Sequence, residues 1–566
     1  MGGFYSLPFV LPKTICTYKK AWLTFFNGKA VSVIMSLLLT GAKPMISKEL
    51  LRAREYETIE GALVGEKDRP AFHFSPRIGW LNDPNGFSFY EGKYHLFYQY
   101  HPYDSHWGPM HWGHAVSTDL INWEYLPVAL APDTDCDGAG CFSGSAVTLP
   151  DGRQLLMYTG CDAKDLDPEG KWAQTQCLAV SNGDVYVKYE GNPVITRKDL
   201  PAGGDPYEFR DPYIWQAEDG SYRAVVANAN KDGNKATQIS MFKSNDAFHW
   251  SFDKVLFEDY RRIGIMWECP NFFALGGRQL LIASPMDMEL EDAEGSIRFP
   301  KGNNVCYMVG DYDEANETFT PHQAASHEGA SRSAFATYHP VDCGLDFYAP
   351  QVMKAPDGRT LMIGWMQDPS TANIHKIEDF RIFGQMSFPR ELDLRGNRLV
   401  QWPAREMEEC RKGRIISASM DIVSETKSIE GLSGRVLDME IDISPRSSSA
   451  AGICSLDEFG IRFARDYDHY VELTYRPDSS VLTVDRSRSG QSDEITKRRS
   501  IRVRDRSGII RLRILIDRWS AEVFINGGEQ VMSLTYYTPL EAQGITFSAE
   551  GSAIVDLTAY ELIFDK

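Results

Sequence analysis

Short apolar runs in residues 71–403 alternate with turn residues, and five of these runs begin just after a glycine. Each glycine is followed by one or two polar residues and a mostly apolar stretch, and another strand-like run precedes it, which is the pattern of a β-hairpin. The five glycines lie 57 to 81 residues apart and are Gly92, Gly152, Gly220, Gly277 and Gly358. Such repetition among short strands predicts a five-bladed β-propeller, with one hairpin per blade.

A second, partial repeat supports this prediction. The same three residue types recur with the same internal spacing, as Ser117, Asp119, Trp123 and as Ser244, Asp246, Trp250. The alternative is a β-sandwich whose hairpins are regularly spaced by chance.

The repeat also predicts which side chains share one end of a propeller channel. Nine residues before each glycine stand Asp83, Ser143, Asp211, Glu268 and Ala349. In equivalent blades, equivalent positions face the same end of the channel. We therefore expect the three carboxylates in this set to converge.

Asp83 lies in the stretch Trp80–Gly86, which is rich in turn residues. Pro84 fixes φ, Gly86 allows positive φ and Asn82 tolerates unusual conformations, so the backbone around Asp83 is constrained. An ordinary β-turn accounts for this stretch equally well when it is taken alone.

The remaining regions have different patterns. Residues 413–566 contain alternating strand patterns, as at 470–474, 510–516 and 521–525, and predict a β-sandwich. The charged residues 404–412 predict a linker helix. The chain is thus expected to be all-β, a five-bladed β-propeller (71–403) followed by a C-terminal β-sandwich (413–566), after an N-terminal extension (1–70).

The N-terminal extension is itself heterogeneous. Within residues 1–44, lysines precede an apolar run from Ala30 to Leu39, which is too short to span a membrane. Met45 resembles a natural start, followed by a helix from Glu49 to Tyr56 that Ser47 caps. We therefore interpret 1–44 as a non-native lead and expect a cytoplasmic protein; secretion is the alternative, if residues 1–42 act as a signal peptide.

The composition of the chain limits which classes of molecule it is expected to bind. The 566 residues carry a formal net charge of −19, which disfavours nucleic acid and anionic membranes as partners and leaves a neutral small molecule unaffected. The ten cysteines are scattered without metal-ligand spacing, as expected for reduced thiols in a cytosol.

Converging carboxylates suit either a hard cation such as calcium or acid/base and nucleophilic work at a glycosidic bond. A calcium loop draws its ligands from one short acidic segment, whereas these acids come from distant segments. Aromatic and amide residues accompany them, and such residues bind the faces and hydroxyl groups of sugars: Trp80, Asn82, Gln99, Trp107, Phe142 and Trp365.

Longer motifs carry a family resemblance. From about residue 71 to 403, and more weakly to the end, the chain resembles glycoside hydrolase family 32, the invertases, sucrose-6-phosphate hydrolases and exo-fructanases. The matching segments, in the order of the family, are 80–86, 112–117, 142–146, 210–212, 268–270, 346–351 and 384–392.

The resemblance implies retaining hydrolysis of a terminal β-D-fructofuranoside in sucrose, sucrose 6-phosphate or short fructans. It implies Asp83 as nucleophile, Glu268 as acid/base, and Asp211 as the residue that binds fructose hydroxyls and stabilises the transition state. Arg210 is expected to hold Asp211 in its anionic form. The residues that would line the fructose subsite are Asn82, Gln99, Trp107, Phe142, Ser143, Arg210, Tyr348 and Trp365.

Several points stay open at this level. A fructosyltransferase on the same scaffold and a non-catalytic fructan-binding protein are the alternatives to a hydrolase. A phosphorylated substrate would need basic residues at the leaving-group site, for which Lys171, Lys231 and Lys235 are candidates. Cys269 is interpreted as a small buried filler, or else as a neighbour that tunes Glu268. This chemistry needs no metal or organic cofactor.

Overall fold

Five sheets follow one another between Gly79 and Pro403, antiparallel except for one short parallel strand in the first, and each forms one blade. The computed structural model describes residues 46–231, 237–259, 263–288, 299–322, 337–373, 380–446, 456–490, 495–503 and 509–564. The lead segment 1–44 and Lys235 lie outside these ranges. Over the described ranges, every helix is too short or too polar to cross a membrane.

The strands are numbered in chain order. Blade 1 contains β1 (Gly79–Tyr90), β2 (Lys93–His101), β3 (His111–Ser117), β4 (Glu124–Leu130) and the short β20 (Ile382–Phe383). Blade 2 contains β5 (Gly140–Thr148), β6 (Gln154–Leu166), β7 (Trp172–Asn182) and β8 (Val185–Lys188). Blade 3 contains β9 (Gly204–Gln216), β10 (Tyr222–Asn230), β11 (Thr237–Ser244) and β12 (Ser251–Asp259).

Blade 4 contains β13 (Trp267–Leu275), β14 (Arg278–Pro285), β15 (Cys306–Asp313), β16 (Thr318–Pro321) and β17 (His339–Pro340). Blade 5 contains β18 (Tyr348–Lys354), β19 (Thr360–Trp365), β21 (Arg390–Arg395) and β22 (Arg398–Pro403). The helix α1 (Lys48–Gly61) precedes the blades where a helix is expected, and 3₁₀ helices span Glu66–Asp68, Arg197–Asp199 and Arg405–Cys410.

The first strands of the blades form a closed ring. β1 contacts β5, β5 contacts β9, β9 contacts β13, β13 contacts β18, and β18 contacts β1 again. The ring is also joined by β20, which comes from the segment after β19 and pairs in parallel with the start of β1. The predicted five-bladed propeller is therefore confirmed.

The turn glycines that revealed the repeat have a common conformation. Each joins the first and second strands of its blade, and their φ angles are 78° at Gly92, 85° at Gly152, 83° at Gly220, 74° at Gly277 and 87° at Gly358. Residues with a Cβ rarely adopt such angles, which explains why glycine recurs at these points.

The Ser–Asp–Trp repeat is a shared turn between third and fourth strands. Asp119 accepts a hydrogen bond from Ser117 Oγ at 2.9 Å, and Asp246 accepts one from Ser244 Oγ at 3.1 Å. The indole of Trp123 donates to Leu120 O, and that of Trp250 donates to Ala247 O. The repeat therefore marks equivalent corners of blades 1 and 3.

Apolar side chains fill the space between neighbouring blades. Phe97 and Trp112 of blade 1 pack with Tyr158 of blade 2, and all three are buried. Similar clusters join blade 2 to blade 3 and blade 3 to blade 4. The blades are thus held by burial of apolar area on both faces of each sheet.

The C-terminal region is a β-sandwich, as predicted. Its strands are β23 (Ile415–Val423), β24 (Thr426–Lys427), β25 (Leu437–Pro445), β26 (Leu456–Arg465), β27 (Tyr470–Arg476), β28 (Val481–Arg488), β29 (Arg498–Arg502), β30 (Ile510–Ile516), β31 (Ser520–Ile525), β32 (Gln530–Thr535) and β33 (Gly544–Glu561). The long strand β33 belongs to both layers: its first half pairs with β26, and its second half with β23 and β25.

Propeller and sandwich meet across a buried network of charged residues. His73 lies between two buried carboxylates of the sandwich, Asp517 and Glu522. Its Nδ1 is 2.8 Å from Asp517 and its Nε2 is 3.0 Å from Glu522. Arg390 of β21 donates to Glu522 and lies 3.0 Å from Asp342. These contacts join the first and last blades to the same edge of the sandwich.

Candidate active site

A β-bulge interrupts each of the five first strands at about the same height. At each bulge, one or two residues of the first strand have no partner in the second strand. These residues are Asn82 and Asp83 in β1, Ser143 in β5, 211–212 in β9, 269–270 in β13 and 349–350 in β18. A bulge bends its strand and redirects a side chain. Repeated in five blades, it gathers side chains from distant parts of the sequence at one place.

The structure corrects the predicted register in blade 4. Asp211, Cys269 and Ala349 occupy equivalent bulge positions, each followed by proline, with φ of 64°, 49° and 47°. Cys269 is therefore the counterpart of Asp211, and Glu268 stands one residue earlier. Counting back nine residues from the glycine fails here because Cys269 stands only eight residues before Gly277. The turn of β13 has two residues, Gly276–Gly277, whereas the loops of blades 2, 3 and 5 have five; β1 has an equally short turn, but a second bulge restores its spacing.

Glu268 nevertheless meets the other residues of the site. Its counterparts in blades 3 and 5 are Arg210 and Tyr348, and both contact it. Arg210 Nε donates to Glu268 Oε1 at 2.9 Å, and Tyr348 Oη donates to Glu268 Oε2 at 2.7 Å. Each oxygen of this carboxyl group is thus held by a different blade.

Asp83 is half-buried and held from two strands. Ser143 Oγ donates to Asp83 Oδ2 at 2.7 Å, and Asn82 Nδ2 donates to Asp83 Oδ1 at 3.1 Å. Asn82 is oriented in turn by the indole of Trp80, at 2.7 Å. Burial and then the charge of Glu268 raise the pKa of Asp83 to about 6, against the hydrogen bonds that favour the ionised form.

The Asp211 carboxylate accepts a hydrogen bond from a backbone amide rather than from its neighbour Arg210. Arg210 Nε lies 3.9 Å from its carboxylate, farther than from Glu268, because the bulge turns Asp211 towards the Cys269 amide, which donates to Oδ2 at 3.0 Å. Burial raises the pKa of Asp211, and the charges of Glu268 and Asp83 add to this against Arg210. Arg210 thus favours the ionised form of Asp211 but does not outweigh burial, and its hydrogen bonds go to Glu268 and Glu208.

Cys269 is buried, as the filler interpretation expects, and it also joins the two aspartates. Its amide donates to Asp211, and its Sγ donates to Asp83 Oδ2 at 3.5 Å. Neither interpretation of Cys269 from the sequence anticipated this link, since it depends on the bulge.

Aromatic side chains form one edge of the site, which we call the aromatic rim: Trp107, Phe142 and Trp172. Trp107 is 41% exposed and stacks on Trp172 with ring centroids 6.3 Å apart, while Phe142 meets both rings edge-on. A stacked pair of indoles with one exposed ring fits the apolar face of a sugar. Trp172 was missed because its segment matches no motif, although it follows Lys171, which was noted.

The other predicted binding residues are buried against protein groups. Trp365 is 3% exposed and packs on Trp80 with ring centroids 5.8 Å apart, and its indole N–H has no hydrogen-bond partner among the described residues. Gln99 donates to Cys141 O at 3.0 Å and so fixes the start of β5. Thr159, which sequence reasoning also missed, accepts a hydrogen bond from the Asp211 amide at 2.9 Å.

The donor set does not resemble a cation site. Within the described ranges, no three or more His, Cys, Asp or Glu side chains are grouped so as to hold a metal ion. The three carboxylates are instead bonded to Ser, Asn, Arg, Tyr and backbone donors, an arrangement suited to organic chemistry at a sugar.

Known proteins share this architecture. Residues 73–403 match the model of the Glycosyl hydrolases family 32 N-terminal domain, and residues 406–561 match that of the Glycosyl hydrolases family 32 C terminal. Sucrose-6-phosphate hydrolase of Zymomonas mobilis is 32% identical over 522 residues, covering 90% of this chain and 95% of that one. Levanase of Bacillus subtilis is 32% identical over 545 residues, covering 92% of this chain and 74% of that one.

A solved structure agrees with these matches. The GH32 β-fructofuranosidase BmSUC1 of Bombyx mori superposes with a TM-score of 0.73 at 31% identity, over 90% of this chain and 97% of that one. A mutant of the same enzyme in complex with sucrose gives a TM-score of 0.74 at 30% identity, over 92% and 99% of the chains. With both family models matched in order, this chain belongs to glycosyl hydrolases family 32.

Proposed function

We propose that this protein is a β-fructofuranosidase that releases terminal β-D-fructofuranosyl units with retention of configuration. The observation that carries the proposal is the meeting of Asp83, Asp211 and Glu268 from three blades around Cys269, beside the aromatic rim. Relatives named as a sucrose-6-phosphate hydrolase, a levanase and a raffinose invertase support a fructosyl-releasing hydrolase.

In the proposed mechanism, Asp83 attacks the anomeric carbon while Glu268 protonates the departing oxygen. Glu268 then removes a proton from water, which releases fructose from the covalent intermediate. Asp211 binds hydroxyl groups of the fructose and stabilises the oxocarbenium-like transition state. The hydrogen bonds from Ser143 and Asn82 orient Asp83, and those from Arg210 and Tyr348 orient Glu268.

The fructose subsite is proposed to comprise the residues predicted from the sequence, which are Asn82, Gln99, Trp107, Phe142, Ser143, Arg210, Tyr348 and Trp365. Trp107 and Phe142 would cover the apolar side of a sugar ring from the aromatic rim. Gln99 and Trp365 would act mainly by supporting β5 and Trp80, because their contacts are to protein groups.

The assignment is tested with Asp83→Asn and Glu268→Gln on sucrose. Loss of the acid/base should lower kcat by about 10²- to 10⁴-fold, and loss of the nucleophile by more. Asp357→Asn, at an exposed turn of blade 5, is the matched control and should behave as the wild type. NMR of the first fructose formed should show the β-anomer; an α-anomer, or near-normal turnover in either variant, would refute the proposal.

We further propose that the substrate carries no phosphate. Lys171 Nζ lies 2.5 Å from Glu208, and Lys231 Nζ lies 3.0 Å from Asp205. Two of the three lysines suggested for a phosphate, all but Lys235, which lies outside the described residues, are thus already paired with carboxylates less exposed than themselves. These carboxylates would repel a phosphate dianion.

A comparison of kcat/KM on sucrose, sucrose 6-phosphate, inulin and levan tests this preference. We expect sucrose to exceed sucrose 6-phosphate, and Glu208→Gln to reduce the difference by releasing Lys171. Asp151→Asn, also paired with a basic side chain but at a turn of blade 2, is the control and should leave the ratio unchanged. A higher kcat/KM on sucrose 6-phosphate would overturn the preference without affecting the proposed reaction.

We also propose that the protein is located in the cytoplasm. Among the described residues, the thiols of Cys136, Cys141, Cys161, Cys177, Cys269 and Cys306 are not joined in disulfide bonds, as is common in reducing compartments. Fractionation of the host cell should place the activity inside; activity in the medium would favour secretion.

A further inference from the structure

Blade 2 contains two thiols in contact that take no part in the proposed reaction. Cys177 lies in β7 and Cys136 lies in the loop between β4 and β5, and Cys177 Sγ donates a hydrogen bond to Cys136 Sγ at 3.5 Å. Both pack on Gly160 of β6, where a Cβ atom would be 2.5 Å from Cys136 O and 3.0 Å from Cys177 Sγ. Glycine at this position therefore lets the loop and the strand approach each other.

The two thiols have different surroundings. Cys136 is half-buried in a surface loop, whereas Cys177 is fully buried. The hydrogen bond from Cys177 lowers the pKa of Cys136 to about 7, with help from Thr134 and Lys188 and against burial and the charge of Asp137. Burial raises the pKa of the Cys177 thiol well above its usual value. Cys136 is thus the accessible, ionisable member and Cys177 the protected one.

We propose that Cys136 and Cys177 form an oxidisable dithiol, which a hydroperoxide converts into an internal disulfide. The Cys136 thiolate attacks one peroxide oxygen, the O–O bond breaks, and Cys136 becomes a sulfenic acid as one water leaves. The Cys177 sulfur then displaces the hydroxyl group, the S–S bond forms, and a second water carries away the Cys177 proton. Two thiols and one hydrogen peroxide give one disulfide and two waters.

The required movement is small. A disulfide bond is about 2.05 Å long, so the sulfurs must approach by about 1.5 Å from their present 3.5 Å. β7 is paired on both sides, with β6 and β8, and therefore holds Cys177 in place. The loop carrying Cys136 moves instead. Cys141 and Cys161 of the same blade are fully buried and so are protected from the oxidant.

The test uses the full-length reduced protein and hydrogen peroxide, followed by alkylation and peptide mapping by mass spectrometry. We expect one linked peptide pair, Cys136 with Cys177, lower in mass by two hydrogens and restored by dithiothreitol. Oxidation of Cys136 to sulfinic acid without a linked peptide, or a disulfide between other cysteines, would overturn the proposal.

Variants separate the two roles. In Cys177→Ser the first step should stop at the sulfenic acid, which dimedone traps on Cys136; in Cys136→Ser, Cys177 should stay unmodified. Cys306→Ser removes a buried thiol of blade 4 and is the matched control, with the linked peptide unchanged. Sucrose hydrolysis verifies that each variant is folded. Equal dimedone labelling of Cys177 in Cys136→Ser would contradict the assigned roles.

Discussion

At the scale of single residues, the site is a set of acids whose ionisation is decided by their neighbours. Burial and mutual repulsion disfavour charge on Asp83 and Asp211, while Ser143, Asn82 and the two donor groups of Cys269 favour it. Each hydrogen bond to the ionised form lowers a pKa, and each nearby negative charge raises it. The ionisation of Asp83 therefore depends on groups from β1, β5 and β13.

The acid limb of the pH profile follows from Asp83. Its pKa is raised to about 6, and a nucleophile must be ionised, so kcat/KM on sucrose should fall about tenfold per pH unit below pH 6. Ser143→Ala removes a hydrogen bond that lowers this pKa, and should move the acid limb to higher pH.

Ser145→Ala is the matched control for that shift. Ser145 lies in the same strand, but its hydroxyl donates to Pro212 O instead of a carboxylate. We expect lower stability with an unshifted acid limb. An acid limb that moves equally in both variants would show that Ser143 acts through the fold rather than on Asp83.

At the scale of elements, a hairpin with a bulge is the unit that presents each side chain. The turn glycine reverses the chain, and the bulge sets the direction of the residue that faces the site. In blade 2, Gly152 performs the first role and Gly144 lies at the second, directly after Ser143. The two glycines are needed for different reasons.

Substitution by alanine should separate these reasons. Gly152 has φ of 85° and open space around its Cβ position, so Gly152→Ala should lower the free energy of unfolding by about 1–2 kcal/mol and leave kcat unchanged. At Gly144, a Cβ would lie 2.0 Å from Met157 O of the paired strand, so Gly144→Ala should cost more and displace Ser143.

Urea unfolding measures the loss of stability in each variant, and sucrose kinetics measure the change in activity. Normal kcat/KM and an unshifted acid limb in Gly144→Ala would show that the bulge is not what positions Ser143.

At the scale of the whole molecule, the sandwich secures the ends of the propeller. His73 precedes blade 1 and Arg390 lies in blade 5, and both bind Glu522 of β31. Burial alone would lower the pKa of His73, but the hydrogen bonds to Asp517 and Glu522 outweigh it and raise the pKa to about 9. Asp517 and Glu522 have lowered pKa values, since His73 and Arg390 outweigh the effect of burial.

This network predicts a stability plateau. Because folding raises the pKa of His73, protonation of His73 stabilises the fold by about 3 kcal/mol below the unfolded-state pKa of about 6.5. This stabilisation is lost as the pH rises from about 6.5 to the folded-state pKa of about 9. The ionised carboxylates of Asp517 and Glu522, whose pKa values are lowered by folding, stabilise the fold at pH values above their unfolded-state pKa. This stabilisation is lost in acid. The free energy of unfolding, measured with urea, should therefore be highest between the carboxyl pKa values and about pH 6.5, and should decline from about pH 6.5 to about pH 9.

Removing the central charge should be costly. Glu522→Gln leaves Asp342 as the buried counter-ion of Arg390 and Asp517 as that of His73. It should lower the free energy of unfolding at pH 7 by about 3–5 kcal/mol and flatten the decline between about pH 6.5 and pH 9. Glu541→Gln, at an exposed position of the sandwich, is the control and should change neither. An unaltered decline in Glu522→Gln would assign the alkaline loss to other groups.

The sequence by itself determined the parts of the protein that local interactions specify. A turn glycine and its two strands lie within about twenty residues, so the hairpins, their number and the propeller could be predicted, and β30 runs from Ile510 to Ile516 as its alternating pattern indicated. The three acids could be named for the same reason, because each lies on its own local motif.

Only the tertiary structure decided how these parts meet. The place of Cys269 between two aspartates, the bonding of Arg210 to Glu268, and the stacking of Trp172 on Trp107 each join residues from different blades or loops. A one-residue difference in the spacing between bulge and turn glycine changes which residue enters the bulge, and no local pattern shows this. Contacts between distant segments depend on the packing of whole blades, which no short stretch of sequence encodes.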